Sequence, residues 1–297
     1  MNNMEIEVKK VILPIAGLGT RFLPLSKIIA KEVWPLVDKP IIQKLVEEAR
    51  DSGIKQIVFV TNAKKSGILD YFKADLSLKK ILQQRKKQDI LQELETLENL
   101  DKEMSFSSVI QAKQLGDGHA VLQALSKVKK EPVGVLFGDD IVDSKTPCLE
   151  QLTNIYKTCQ KPVIALCRLP KERLSAYGVV KVEKIANRVY KIKKIVEKPA
   201  PGEEPSDLAI VGKYILTPDV FDYLKNAKPN TKGEIILAET FDKMLEAGKT
   251  IYGYEFEGKW LECGTKLEWL KTHLYFSLKD DRFKEDLKSF IKENNLL

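Results

Sequence analysis

The sequence predicts an α/β protein built on a central mixed, mainly parallel sheet flanked by helices, and two observations carry that expectation. Short apolar runs alternate with helical patterns over the first half of the chain. Residues able to do chemistry fall just past those runs, at the carboxyl ends of the strands, where a parallel sheet collects its ligands.

Taken in order, residues 11–15 form the first strand candidate, 41–52 a helix, and 56–61 a second strand with a helix after it. Residues 76–104 break the rhythm with a highly charged stretch whose leucines recur at helical intervals. They read as a surface helical insertion that either covers a site or a partner chain, or is a solvated hairpin. The rhythm resumes with strands at 106–111 and 133–137, separated by a helix over 118–127. After Pro162 the pattern turns toward β, with candidates at 163–169, 179–184, 189–196 and 208–216. Mixed strands there extend the sheet. Helices return at 218–226, 234–247 and 265–278, followed by a charged amphipathic helix at 282–292. No internal repeat or low-complexity linker interrupts the chain, so residues 1–297 read as one domain.

Composition narrows the class. With 43% hydrophobic residues, 297 residues can bury a large core. The balance of 49 Lys plus Arg against 42 Asp plus Glu gives +7, which attracts polyphosphates but is too evenly spread to argue for nucleic acid. Cys148, Cys159, Cys167 and Cys263 show no C-x-x-C spacing, so neither zinc nor thiol-redox chemistry is indicated, and a reduced, cytoplasmic protein is the simplest expectation. There is no signal-peptide pattern, and no apolar run approaches the ~20 residues that span a bilayer.

The most informative segment follows the first strand: Ala16-Gly17-Leu18-Gly19-Thr20-Arg21, with Lys27 and Lys31 beyond it. Glycines let backbone N–H groups approach phosphate oxygens closely, and the cations supply charge, so the loop suits a nucleoside triphosphate. It lacks the Gly-Lys-Ser/Thr ending of a P-loop. Arg21 and Phe22 also stand where a dinucleotide fold places its third glycine. Further along, Gln111 and the run from Gly116 to Ala120 offer donors and acceptors for a pyrimidine edge. Asp139, after an apolar strand, is placed to hold a hard cation against phosphate oxygens, and Glu262, at a strand-to-helix turn, is a second carboxylate. Glu197 and Lys198 pair an acceptor for sugar hydroxyls with a cation for a sugar phosphate, and Tyr177-Gly178 lie a hairpin's length upstream. His119 reads as a packing or capping group at a helix start, and nothing is assigned to His273.

With Lys31-Glu32-x-x-Pro35, Asp38-Lys39-Pro40, Gly118-His119-Ala120-Val121-Leu122, Ala176-Tyr177-Gly178-Val179, the 196–199 segment and the 205–214 segment, the chain resembles the sugar-1-phosphate nucleotidylyltransferases over residues 10–278. The Gly-His-Ala run and the Ser-x-Leu-Ala-Ile-Val-Gly-x-Tyr run make it similar to their bacterial UTP:glucose-1-phosphate uridylyltransferase branch. The resemblance implies a Rossmann-like nucleotide-diphospho-sugar transferase fold, Mg²⁺ as cofactor, and a homodimer or homotetramer. It implies UTP and glucose 1-phosphate as substrates, UDP-glucose and pyrophosphate as products, and neither nucleic acid nor membrane as partner. Carried onto this sequence, Ala16, Gly17, Leu18, Gly19, Thr20, Gln111 and Gly116 would hold the nucleotide, and Arg21 and Lys31 would neutralise its phosphates. Tyr177, Gly178, Glu197, Lys198 and Gly212 would surround the sugar phosphate, with Asp139 and Glu262 at the metal. Residues 8–160 would then be the nucleotide half, 161–278 the sugar-phosphate part, and 279–297 a C-terminal helix.

Three residues depart from the family pattern: Glu262 stands for an aspartate, Trp34 for a smaller apolar residue, and Gly138 for proline or alanine. Two alternatives stay open at this point. The same chemistry can act on another nucleotide or sugar phosphate, or the chain can be a weakly catalytic, nucleotide-sugar-sensing regulatory subunit.

Overall fold

Alternate side chains of each central strand point to opposite faces, and both faces find an apolar partner. The computed structural model describes residues 7–128 and 130–296; the remaining positions of the expected 1–297 domain lie outside the described residues. Its strands are β1 (Lys10–Pro14), the short β2 (Pro35–Leu36) and β3 (Lys39–Pro40), β4 (Gln56–Thr61), β5 (Ser105–Ile110), β6 (Val133–Leu136), β7 (Asp140–Asp143), β8 (Val163–Arg168), β9 (Gly178–Ala186), β10 (Val189–Glu197), β11 (Leu208–Leu216), β12 (Tyr252–Glu255) and β13 (Lys259–Glu262). The helices are α1 (Ile41–Asp51), α2 (Leu76–Gln84), α3 (Gln88–Glu103), α4 (Asp117–Gln123), α5 (Leu125–Val128), α6 (Cys148–Cys159), α7 (Lys171–Leu174), α8 (Pro218–Asn226), α9 (Leu237–Glu246), α10 (Lys266–Lys279) and α11 (Lys284–Glu293).

Among the described residues, nine strands form one sheet in the order β5-β4-β1-β6-β11-β8-β12-β10-β9. Pairing is parallel from β5 through β6 and between β8 and β12, and antiparallel at β11 and β10. All but β10 and β11 therefore run the same way, as the sequence predicts. In β1, Val11 and Leu13 face one hydrophobic cluster while Ile12 faces the other; in β4, Ile57 and Phe59 oppose Val58 and Val60. Strands covered on both faces read as continuous apolar runs, and β11 is buried along its whole length.

Several elements differ from expectation. The segment after β4 forms a 3₁₀ run, Ala63–Phe72, in place of an α-helix. Gly67 sits at its middle, and the Lys65 ammonium turns inward to Glu32 Oε2 at 2.7 Å and the Ile15 carbonyl at 3.0 Å. The helix expected from residue 234 begins three residues later, because Ile235 spends its backbone on other partners: its N–H donates to Leu115 O and its carbonyl accepts from Gly118 N. The charged insertion is a helical hairpin, α2 and α3, beside the edge strand β5. No helix among the described residues is long and apolar enough to cross a membrane.

Candidate active site

The order β4-β1-β6 means that the chain turns back across β1, and such a reversal opens a crevice past the carboxyl ends of the two central strands. The glycine loop leaves β1 there, and Phe137-Gly138-Asp139 leaves β6 there. Two adjoining cavities of about 290 and 280 Å³ result, and Asp117, Phe137 and Asp139 line both.

The first cavity is lined by Ala16, Gly17, Lys31, Gln111 and Gly116, which the sequence singled out, together with Glu32, Gln114 and Glu234. Gly116 holds φ at 102°, and a Cβ there would stand 2.4 Å from the Ile235 carbonyl oxygen, so only glycine fits. Gln111 is buried, and its Nε2 donates to Gly116 O at 3.2 Å and approaches His119 Nδ1 at 2.9 Å. Gln123 Nε2 lies 3.1 Å from the other ring nitrogen. A neutral imidazole has only one acceptor nitrogen, so one of these two amides presents its oxygen instead. Burial lowers the His119 pKa, which favours that neutral ring. His119 thus braces Gln111, in keeping with the packing role expected of it. Leu18, Gly19, Thr20 and Lys27 line neither cavity. Gly19 instead turns the loop at φ 64°, where Ser26 Oγ donates to its carbonyl at 2.7 Å.

Between the cavities, Lys31 Nζ donates to Asp139 Oδ2 at 2.7 Å. Burial by itself would raise the Asp139 carboxyl, but the Lys31 ammonium and then Arg21 outweigh it and hold the group below the usual carboxylate range. Burial likewise opposes charge on Lys31, and Asp139 and Glu32 more than offset it, so this ammonium is held above its ordinary value. The neighbouring Asp140 moves the other way, pushed up by burial and by the Asp139 charge beside it. Glu262 reaches the same place through the ribbon β7–β13, in which Glu262 pairs with Asp140. A Cβ at Gly264 would stand 3.1 Å from Glu262 Oε1, 3.3 Å from Asp139 Oδ2 and 3.6 Å from Arg21 Nη1. Two carboxylates and a guanidinium therefore converge on one small cradle. Among the described residues no three His, Cys, Asp or Glu side chains cluster as a closed metal cage. Two carboxylates facing a phosphate crevice suit a hard divalent cation that takes its remaining ligands from phosphate and water.

The second cavity gathers Arg21, Tyr177, Gly178, Glu197, Lys198, Gly212, Asp139 and Glu262. Lys198 sits at φ 48°, in the left-handed region, with its N–H donating to Tyr177 O and its Nζ 3.0 Å from Glu197 Oε1. A non-glycine residue there costs on the order of 1 kcal/mol, directly after the last β9–β10 pair, Glu197 with Gly178. At Gly212 a Cβ would meet Asp140 Oδ2 at 2.2 Å, so the backbone itself forms that wall.

Sequence reasoning missed some of the site. Asp117 lies between the cavities, its Oδ1 accepting from Gly118 N at 2.6 Å and Leu237 N at 2.8 Å, and burial raises its pKa to about 6 despite those bonds. Its position in a Gly-Asp-Gly run at a helix start was the available signal. Trp260 donates its indole N–H to Asp140 Oδ1 at 2.8 Å, a tertiary contact that no local pattern announces. Of the three departures, Trp34 is buried, packing edge-on to Phe22 and Trp269 and so tying the phosphate loop to α10. A Cβ at Gly138 would lie 3.3 Å from the Glu32 side chain, a tight fit.

Comparison with known proteins shows which family has this sequence and fold. The nucleotidyl transferase family matches residues 9–276. The UTP–glucose-1-phosphate uridylyltransferase 1 of Staphylococcus saprophyticus is 41% identical over 98% of this chain and 100% of its own. A crystal structure of UDP-glucose pyrophosphorylase complexed with UDP-glucose superposes with a TM-score of 0.83 at 35% identity, covering 92% of this chain and 100% of that one. A UTP-bound enzyme of the same kind from Acinetobacter baumannii gives 0.87 at 36% identity, covering 96% and 99%. Family model, curated relatives and solved structures lead to the same place: the chain belongs to the nucleotidyl transferase family.

Proposed function

We propose that this protein is a UTP:glucose-1-phosphate uridylyltransferase, transferring a uridylyl group from UTP to glucose 1-phosphate and releasing pyrophosphate. The observation that carries the reading is the pair of cavities meeting at Asp117, Phe137 and Asp139, which supports a nucleotide on one side and a sugar phosphate on the other. Relatives bearing that activity in their names, over nearly the whole chain, support the substrate choice. In this reading Ala16, Gly17, Gln111 and Gly116 seat the uracil nucleotide, with the Gln111 amide on the pyrimidine edge. Gly178, Glu197 and Gly212 hold the glucose ring and Lys198 its phosphate. The Tyr177 ring closes the wall.

A phosphate oxygen of glucose 1-phosphate attacks the α-phosphorus of UTP in line with the departing pyrophosphate. No general base is needed, since the attacking phosphate is already ionised near neutral pH. Arg21 and Lys31 neutralise charge on the phosphates as the pyrophosphate leaves, and Lys31 stays charged because carboxylates surround it. Mg²⁺, held by Asp139 and Glu262, would supply further neutralisation of the phosphate oxygens. Asp117 and Phe137, shared by both cavities, keep the two substrates in register. The reading also takes the chain as one catalytic domain of a cytoplasmic homodimer or homotetramer.

Pyrophosphate release with Mg²⁺, glucose 1-phosphate and each NTP in turn tests the assignment. UTP-selective turnover is expected, and equal turnover with dTTP or ATP would refute the nucleotide choice. In the same assay Lys198→Ala is expected to raise KM for glucose 1-phosphate by about tenfold or more, the worth of one charge-assisted contact, with KM for UTP little changed. A variant with an unchanged response to the sugar phosphate would remove Lys198 from that role.

A further inference from the structure

The Tyr177 hydroxyl is engaged by two side chains. It donates to Glu262 Oε2 at 2.5 Å and accepts from Arg173 Nη2 at 3.2 Å, and Arg173 also lies 3.5 Å from Glu262 Oε2. The Tyr177 ring packs edge-on against Trp260, centroids 5.0 Å apart, and Trp260 is in turn fixed through its indole N–H to Asp140. One oxygen of Glu262 is therefore held by two groups, of which Tyr177 is anchored on Trp260, while Oε1 faces the cradle at Gly264 that Asp139 and Arg21 share.

We infer that Tyr177 and Arg173 are positioning residues that clamp Glu262 Oε2, so that the longer carboxylate of this chain offers a single oriented oxygen, Oε1, to the divalent cation. The inference deepens the proposed metal site and rests on that reading. Glutamate has one more rotatable bond than aspartate. An unrestrained glutamate would lose that freedom on binding metal and could also turn both oxygens away from Asp139. The clamp removes that freedom beforehand. Groups that orient a metal ligand in this way typically contribute a factor of ten or more to affinity. It also explains why Tyr177, a residue of the sugar-side wall, has its hydroxyl directed at the opposite partner.

The test is Mn²⁺ alone, titrated into the protein and followed by the EPR signal of the free ion, alongside steady-state kinetics. Tyr177→Phe keeps the ring against Trp260 and removes only the hydroxyl. It is expected to weaken Mn²⁺ binding about tenfold and to raise the Mg²⁺ needed for half-maximal turnover. In a Glu262→Ala background the same change should have no further effect on Mn²⁺. Arg173→Met, at an exposed side chain, should weaken Mn²⁺ binding in the same direction by less, and serves if Tyr177→Phe folds poorly. Unchanged Mn²⁺ binding in Tyr177→Phe, or a rise confined to the KM for glucose 1-phosphate, would overturn the clamp. Wild-type protein that binds Mn²⁺ no better than Glu262→Ala would overturn it too. Because Mn²⁺ binding needs no turnover, a wild type inactive toward UTP and glucose 1-phosphate would sink the proposed function and still leave the clamp decided by EPR.

Discussion

Asp139→Asn is expected to lower turnover by about 10³-fold or more while the protein remains folded, because it removes a carboxylate that lines both cavities and faces Lys31 and Arg21. The amide keeps the size of the side chain, and the backbone carbonyl of residue 139 still accepts from Cys263 N at 2.7 Å. What disappears is charge. Lys31 loses its partner at 2.7 Å, and Glu262 is left alone at the cradle. The measurement is kcat with saturating UTP and glucose 1-phosphate, with a melting curve to confirm folding; turnover close to that of wild type would refute the role. A pH series adds a second readout. The folded-state pKa of Asp139 lies below its ordinary 3.8, so its ionisation stabilises the fold above that value and the contribution is lost as pH falls through it. The stability gap between wild type and Asp139→Asn is therefore expected to narrow on acidification.

Lys213→Ala should cost about 3–5 kcal/mol of stability, the penalty for leaving one member of a buried ion pair uncompensated. Lys213 is wholly buried in β11, where nearly every neighbour is apolar, and its Nζ donates to Glu48 Oε2 at 2.7 Å. Glu48 Oε1 meanwhile accepts from Leu149 N at 3.2 Å, so this carboxylate pins α1 to α6 as well as to the sheet. At about 2–4 °C per kcal/mol for a chain of this size, a fall in Tm on the order of 10 °C is expected. Lys213→Met combined with Glu48→Leu should recover most of that loss, since two apolar residues leave no orphan charge. A single variant that melts with wild type would show that the pair contributes little.

How much of this was visible in the sequence depended on how local the determining interaction is. Strands β1, β4 and β6 are short apolar runs buried on both faces, and they fall where their composition puts them. The same holds for Thr265, which caps α10 through a bond from Glu268 N to its own Oγ1. By contrast, β12 exists because it slots between β8 and β10, and β7 and β13 because they pair with each other; neither Tyr252–Glu255 nor Asp140–Asp143 has a pattern that says so. α6 escaped for another reason: Thr153, Asn154, Thr158 and two cysteines are weak helix formers, and the helix owes its stability to Leu149, Leu152 and Tyr156 packing inward. In the site, Arg21, Lys31, Asp139 and Lys198 were legible because charge beside a strand end has few other uses. Asp117 and Trp260 were not, since their meaning comes from partners far away in sequence.

The β7–β13 ribbon carries a consequence for how this chain tolerates change. Its two strands bring Asp140 and Glu262 side by side across a long stretch of intervening chain. Exposed loop tips within that stretch that carry no residue of the site can lengthen or shorten with the ladder unmoved. A single residue gained or lost inside either strand is different: with a side-chain period of two, it would turn Glu262 to the other face of the ribbon and strand the carboxylate away from Asp139. Engineered insertions should therefore be tolerated at such loop tips and fail inside the four-residue ladder.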